Sequence, residues 1–114
     1  MKIYQYPKCS TCRKAIKFLN EKKVAFDVCD ISQEQPSMAE LKQMLISQGE
    51  IKKLFNVSGM QYRELDMKNK LPSLSEDEAL AILSNNGMLI KRPFLIGEGI
   101  ALVGFKESIW QESL

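Results

Sequence analysis

The chain has 114 residues, enough for one domain that buries roughly two-thirds of its unfolded surface without disulfide or metal staples. Hydrophobic residues make up 45% and charged residues 26%, and 16 basic against 14 acidic side chains leave a net charge of +2, too small to demand a polyanionic partner. Histidine is absent, which excludes a histidine general base and disfavours most zinc, copper and iron sites, and three cysteines in a short chain argue against a disulfide scaffold.

Lys2 to Tyr6 alternates, with Ile3 and Gln5 on one face and the tyrosines on the other, and stops at Pro7, the pattern of a short strand followed by a tight loop. From Ser10 to Lys22, Ala15, Ile16, Phe18 and Leu19 recur at three-and-four spacing, with lysines mostly opposite, so a helix with one inward face is predicted. Val24 to Cys29 reads as a second strand. A right-handed crossover would set it parallel to the first. Ser37 and Glu40 have capping-box spacing, Leu41, Met44 and Leu45 supply a buried stripe, and Gly49 stops the helix. Ile51 to Phe55 suggests another turn or two of helix, broken by the turn residues Asn56 to Gly59. Tyr62 to Asp66 is read as a short helix with Tyr62 and Leu65 inward. A second capping box, Ser75 to Glu78, opens a helix whose apolar face is Ala79, Ile82 and Leu83 and which ends at Asn86-Gly87. Phe94 to Ile96 and Ile100 to Phe105 form a hairpin about Gly97-Glu98-Gly99, and Lys106 to Glu112 forms a last short helix. The sum is an α/β chain: two parallel strands, a mostly helical insertion over about 34–88, then a hairpin.

No stretch approaches the ~20 apolar residues of a membrane span, and the N-terminus is too short and polar for a signal peptide. The expected setting is a reducing cytoplasm, with no membrane. In that setting two thiols stay apart unless chemistry brings them together.

The most informative segment is Pro7-Lys8-Cys9-Ser10-Thr11-Cys12-Arg13, at a strand-to-helix junction. Helix-starting amides and the macrodipole favour a negative sulfur there, and Lys8 and Arg13 add positive potential. A thiolate at Cys9 would be the nucleophile. Cys12, about one turn on, would attack a sulfur adduct on Cys9. The competing readings are half a zinc site, or two inert thiols. For zinc the other half is missing, because only Cys29 remains, and Cys29 reads as a small buried hydrophobe at the end of its strand. No glycine signature for a dinucleotide is present, so no bound cofactor is expected.

Tyr6 to Ala15, Phe55 to Gly59, Tyr62 to Leu65, Leu89 to Pro93 and Gly104 together resemble the family of glutaredoxin-linked arsenate reductases and Spx-type proteins, over essentially the whole chain. The resemblance implies a single thioredoxin-like domain over 1–114, with a mixed sheet flanked by helices and a helical insertion. It implies that Pro93 is cis and lies beside the reactive cysteine. It assigns the nucleophile to Cys9. Arg92 matches one of three arginines that hold the oxyanion in the arsenate reductases, while the positions of the other two fall at Asn56 and Gly104. A forked guanidinium pairs with two oxygens, so one arginine with nearby lysines is a weaker oxyanion trap.

Two functions follow. As an oxidoreductase, Cys9 would attack an oxyanion such as arsenate, or a disulfide. Cys12 or glutathione would resolve the adduct, and glutathione, glutaredoxin or thioredoxin would be the external reductant. As a Spx-type regulator, a Cys9–Cys12 disulfide would switch binding to the RNA polymerase α subunit. No direct nucleic-acid binding is expected, because no arginine-rich or aromatic platform pattern is present, and a monomer is expected. The candidate catalytic residues are Cys9, Cys12 and Arg92. Lys8, Ser10, Thr11, Arg13, Asn56, Ser58 and Pro93 are the candidate substrate-binding residues. The lysine pairs at 22–23 and 52–53 read as surface charges.

Overall fold

A computed structural model describes residues 1–114. Four strands, β1 (Lys2–Gln5), β2 (Asp27–Asp30), β3 (Phe94–Gly97) and β4 (Ile100–Val103), form one sheet in the order β2-β1-β3-β4. β1 and β2 are parallel, with Ile3 opposite Val28 and Tyr4 opposite Cys29. β3 runs antiparallel to β1 and returns through the hairpin to β4. The helices are α1 (Ser10–Glu21), α2 (Met38–Gln48), α3 (Met60–Glu64), α4 (Met67–Lys70), α5 (Glu76–Asn85) and α6 (Glu107–Ser113), and α2 to α5 lie in the insertion between β2 and β3. This is a thioredoxin-like mixed sheet flanked by helices, with a helical insertion.

The period-2 alternation of the strands sorts the core into two halves. Ile3 and Leu95 point to one face and join Ala15, Phe18 and Leu19 of α1 and Trp110 of α6. Tyr4, Phe94 and Ile96 point to the other and join Leu41, Met44, Ala79, Leu80 and Leu83 of the insertion. Phe18 and Phe105 both approach Trp110, with ring centroids 6.4 and 5.0 Å away. Both capping boxes form, with Ser37 and Ser75 each accepting from the backbone N–H three residues on, and Gly49 closes α2 at φ +80°. Tyr4 Oη donates to Glu40 Oε1 at 2.8 Å, and Lys2 pairs with Glu40 Oε2 at 3.2 Å, tying β1 to the start of α2.

Several sequence expectations shift. β2 begins at Asp27 rather than Val24, because Lys23 turns the chain at φ +59° and Val24 and Phe26 are drawn into the α1–α6 side of the core. As an edge strand β2 is thinly covered: Val28 is 51% exposed and Cys29 is only half-buried rather than sealed in the core. Leu65 does not face inward. α3 stops at Glu64, and Asp66 at φ +54° redirects the chain, leaving Leu65 40% exposed while Tyr62 packs on Phe55. The inward face of α5 uses Leu80 beside Ala79 and Leu83, with Ile82 only partly buried. The sequence patterns gave no sign of α4.

Candidate active site

Cys9 ends the loop after β1 and is the N-cap of α1. Its Sγ accepts from the Cys12 backbone N–H at 3.3 Å, the bond a serine or aspartate oxygen makes in an ordinary cap. The loop is held by Cys9 N–H donating to Tyr6 O at 2.9 Å and by Arg13 Nη1 donating to Pro7 O at 2.9 Å. Cys9 remains half-exposed, and Cys12 one turn later is fully buried.

The two thiols are driven apart in acidity. Burial opposes ionisation of Cys9, but the Cys12 thiol and backbone N–H, the Arg92 charge and the Thr11 backbone N–H together hold it below the ordinary cysteine value. Burial pushes Cys12 up to about 12, and its hydrogen bond toward the Cys9 sulfur adds to the rise. The proton of the pair therefore belongs on Cys12 and the negative charge on Cys9. Burial and the neighbouring Glu34 raise Cys29 to about 11.

Arg92 reaches this site from the segment before β3, the strand that runs antiparallel beside β1. The Arg92–Pro93 peptide bond is cis, the isomer that the resemblance implies. The Arg92 guanidinium lies 5.1 Å from the Tyr6 ring centroid, and Nη1 donates to Met88 O at 3.5 Å. The segment before it is pinned to the insertion by Asn56 N–H to Leu89 O and Lys91 N–H to Leu54 O, both 2.8 Å. Behind it, Gly104 N–H donates to Pro93 O at 2.9 Å, and Trp110 Nε1 donates to Gly104 O at 3.1 Å. Gly104 has φ +70°, the left-handed region that glycine adopts without strain.

Beside Cys9 opens a cavity of about 650 Å³. It brings together five of the ten candidate catalytic and substrate-binding residues: Cys9, Thr11, Asn56, Ser58 and Arg92. It does not include the others. Cys12 lies buried behind Cys9, Pro93 is buried beside Arg92, Lys8 and Ser10 are exposed outside the lining, and the Arg13 guanidinium is committed to the Pro7 carbonyl. Sequence reasoning missed Lys53, Lys91 and Lys106, which line the cavity with Gly104 and Trp110. Lys53 had read as a surface charge. Lys91 and Lys106 carried no spacing signal beyond standing next to Arg92 and close to Gly104.

A cysteine N-cap on the first helix of a thioredoxin-like sheet, backed by a second thiol and an arginine, defines a thiol redox protein. The family comparison agrees. Residues 4–113 match the model of the ArsC family, and the chain belongs to that family. It is 47% identical over 112 residues to the uncharacterised protein YusI of Bacillus subtilis, spanning 97% of this chain and 95% of that one. An arsenate reductase of Neisseria meningitidis is 30% identical over 106 residues, 91% of this chain and 89% of its own length. The global transcriptional regulator Spx of Enterococcus faecalis is also 30% identical over 106 residues, covering 92% of this chain and 79% of the regulator. The crystal structure of an ArsC-family-related protein from Bacteroides fragilis superposes with a TM-score of 0.89 at 41% identity, over 99% of this chain and 97% of that one. Family and cysteine pair together establish a mechanism based on redox-active cysteine. No helix is long and apolar enough to cross a membrane.

Proposed function

We propose that this protein is a thiol–disulfide oxidoreductase in which Cys9 attacks and Cys12 resolves. The observation that carries the reading is the asymmetry of the pair: a half-exposed Cys9 sulfur with its acidity raised, and a buried Cys12 thiol with its acidity suppressed. The Cys9 thiolate attacks one sulfur of a disulfide substrate. A Cys9–substrate bond forms, the substrate S–S bond breaks, and the first thiol leaves and takes a proton from solvent. Cys12 then gives up its proton and attacks the Cys9 sulfur, forming the Cys9–Cys12 disulfide and expelling the second thiol. The substrate gains two electrons and the pair loses two. Glutathione, glutaredoxin or thioredoxin returns them from outside.

Arsenate is the weaker candidate substrate. Asn56 lines the cavity and Gly104 contributes no side chain where the resemblance places two further arginines, leaving Arg92 alone of the three. The test is single-turnover mass spectrometry with a neutral disulfide, bis(2-hydroxyethyl) disulfide. Wild type is expected to end as an internal disulfide without retained adduct. Cys12→Ser is expected to accumulate the adduct on Cys9, and Cys9→Ser to do neither. An adduct that persists in wild type as long as in Cys12→Ser would remove Cys12 as the resolving thiol.

The alignment with Spx favours a second reading, in which the same disulfide alters a surface for the RNA polymerase α subunit. Capture of purified α subunit by one redox state and not the other supports it; equal capture, or none in either state, removes it.

A further inference from the structure

The cavity beside Cys9 is larger and more positive than a compact oxyanion requires. Its volume of about 650 Å³ lies in the range of pockets that enclose drug-sized molecules. Four cations line it, Lys53, Lys91, Arg92 and Lys106, and no carboxylate does. None of the four has an acidic partner, since the salt bridge of the molecule is Lys2–Glu40 on another part of the surface. The chain carries 14 acidic residues against 16 basic ones, so the segregation comes from placement and not from composition. The cations also come from separate elements. Lys53 sits in the 3-10 turn Ile51–Leu54 of the insertion, Lys91 and Arg92 precede β3, and Lys106 precedes α6. Between them, Leu102, Phe105 and Trp110 give part of the wall an apolar character. Gly104 matters here too. A Cβ at this position would stand 2.8 Å from Lys91 Cε, so the absence of a side chain gives the Lys91 stem its room.

We propose that this cavity selects small disulfides carrying several carboxylates spaced away from the sulfurs, with Lys53, Lys91 and Lys106 as the specificity-determining residues. The proposal rests on the disulfide reading of Cys9 above. In it, Arg92 stays close to the reacting sulfurs, and the three lysines hold carboxylates on the arms of the substrate while its carbon chain lies on the apolar wall. A focused positive field in a concave site raises the local concentration of anions, an effect on rate that salt weakens. The chemistry is the two-electron exchange already written, with two thiols as the product.

The experiment compares two probes in single turnover on reduced full-length protein: 3,3′-dithiodipropionate, a dianion, and bis(2-hydroxyethyl) disulfide, which is neutral. For each variant the readout is the ratio of the second-order rate constants for adduct formation on Cys9. Taking this ratio against wild type cancels the intrinsic reactivities of the two probes. In Lys53→Gln/Lys106→Gln the ratio is expected to fall roughly tenfold, and raised salt is expected to lower the wild-type ratio toward that of the variant. Lys68→Gln/Lys70→Gln on α4, outside the cavity, is the charge-matched control and is expected to keep the wild-type ratio. An unchanged ratio in the cavity variant, or an equal fall in the control, overturns the proposal. Failure of wild type to react with the neutral probe is a different result, because it removes the oxidoreductase reading itself.

Discussion

Gly87→Ala sets local propensity against packing, and the two disagree on sign. Gly87 opens the 3-10 turn Gly87–Leu89 with a backbone that alanine can adopt. On propensity alone the change restricts the unfolded chain and stabilises the protein by about 0.4–1 kcal/mol. Packing says otherwise. A Cβ here would stand 2.1 Å from Ile31 O and 3.1 Å from Ile31 C, far inside van der Waals contact. Ile31 O is a backbone atom just after β2 and also accepts from Gln35 Nε2, so it cannot turn aside as a flexible side chain would. Overpacking of this kind costs about 1–3 kcal/mol; so close an approach to a backbone atom belongs at the upper end, and with the propensity gain set against it a net loss of about 2 kcal/mol is expected. For a chain of this length that lowers the melting temperature by about 8 °C. Urea unfolding followed by Trp110 fluorescence and by far-UV circular dichroism should give coincident curves with a lower midpoint. A variant as stable as wild type, or more stable, refutes the packing argument. The turn also leads into Arg92, so its displacement should slow thiol exchange at Cys9 as well.

Glu40→Gln removes the Lys2 ion pair and weakens the acceptor that Tyr4 and the Ser37 N–H share. A loss of about 1 kcal/mol at neutral pH is expected in urea unfolding. Burial favours protonation of Glu40, but those hydrogen bonds and Lys2 hold its carboxyl below the ordinary range. Its contribution is therefore present above about pH 4.3 and is lost as pH falls through the folded value, so the variant should lose less stability than wild type on acidification. On the alkaline side, Cys12 at about 12 and Cys29 at about 11 keep protons in the folded state that the unfolded chain releases near 8.5. Stability should fall as pH rises through that window. Cys9 acts in the opposite sense: its contribution is present above the ordinary cysteine value and is lost as pH falls through the folded one. Cys12→Ser should flatten the alkaline fall, and a slope equal to wild type would contradict the assigned burial of that thiol.

Signals that act locally along the chain were readable without coordinates. The serine and glutamate spacings gave both capping boxes, and the alternation from Lys2 to Tyr6 gave the first strand. The cysteine spacing at a strand-to-helix junction located the reactive pair, because helix geometry alone puts residue 12 one turn from residue 9. What stayed hidden depends on distant segments meeting. Lys53, Lys91 and Lys106 lie far apart in sequence and converge only because the insertion and the hairpin both close on the start of α1. Arg13 is the reverse case: it stands close to Cys9 in sequence, while in the fold its guanidinium donates to Pro7 O and it does not line the cavity. Leu65 looked inward by spacing, but the left-handed turn at Asp66 interrupts the helix that would have carried it there.

The most direct test of the redox account is the pH profile of alkylation in the reduced protein, with each cysteine resolved by mass spectrometry. Cys9 is expected to react first, with a midpoint below the value of about 8.5 typical of free cysteine, while Cys12 stays protected until the protein unfolds. A Cys9 midpoint at or above that value, or Cys12 reacting ahead of Cys9, would contradict it.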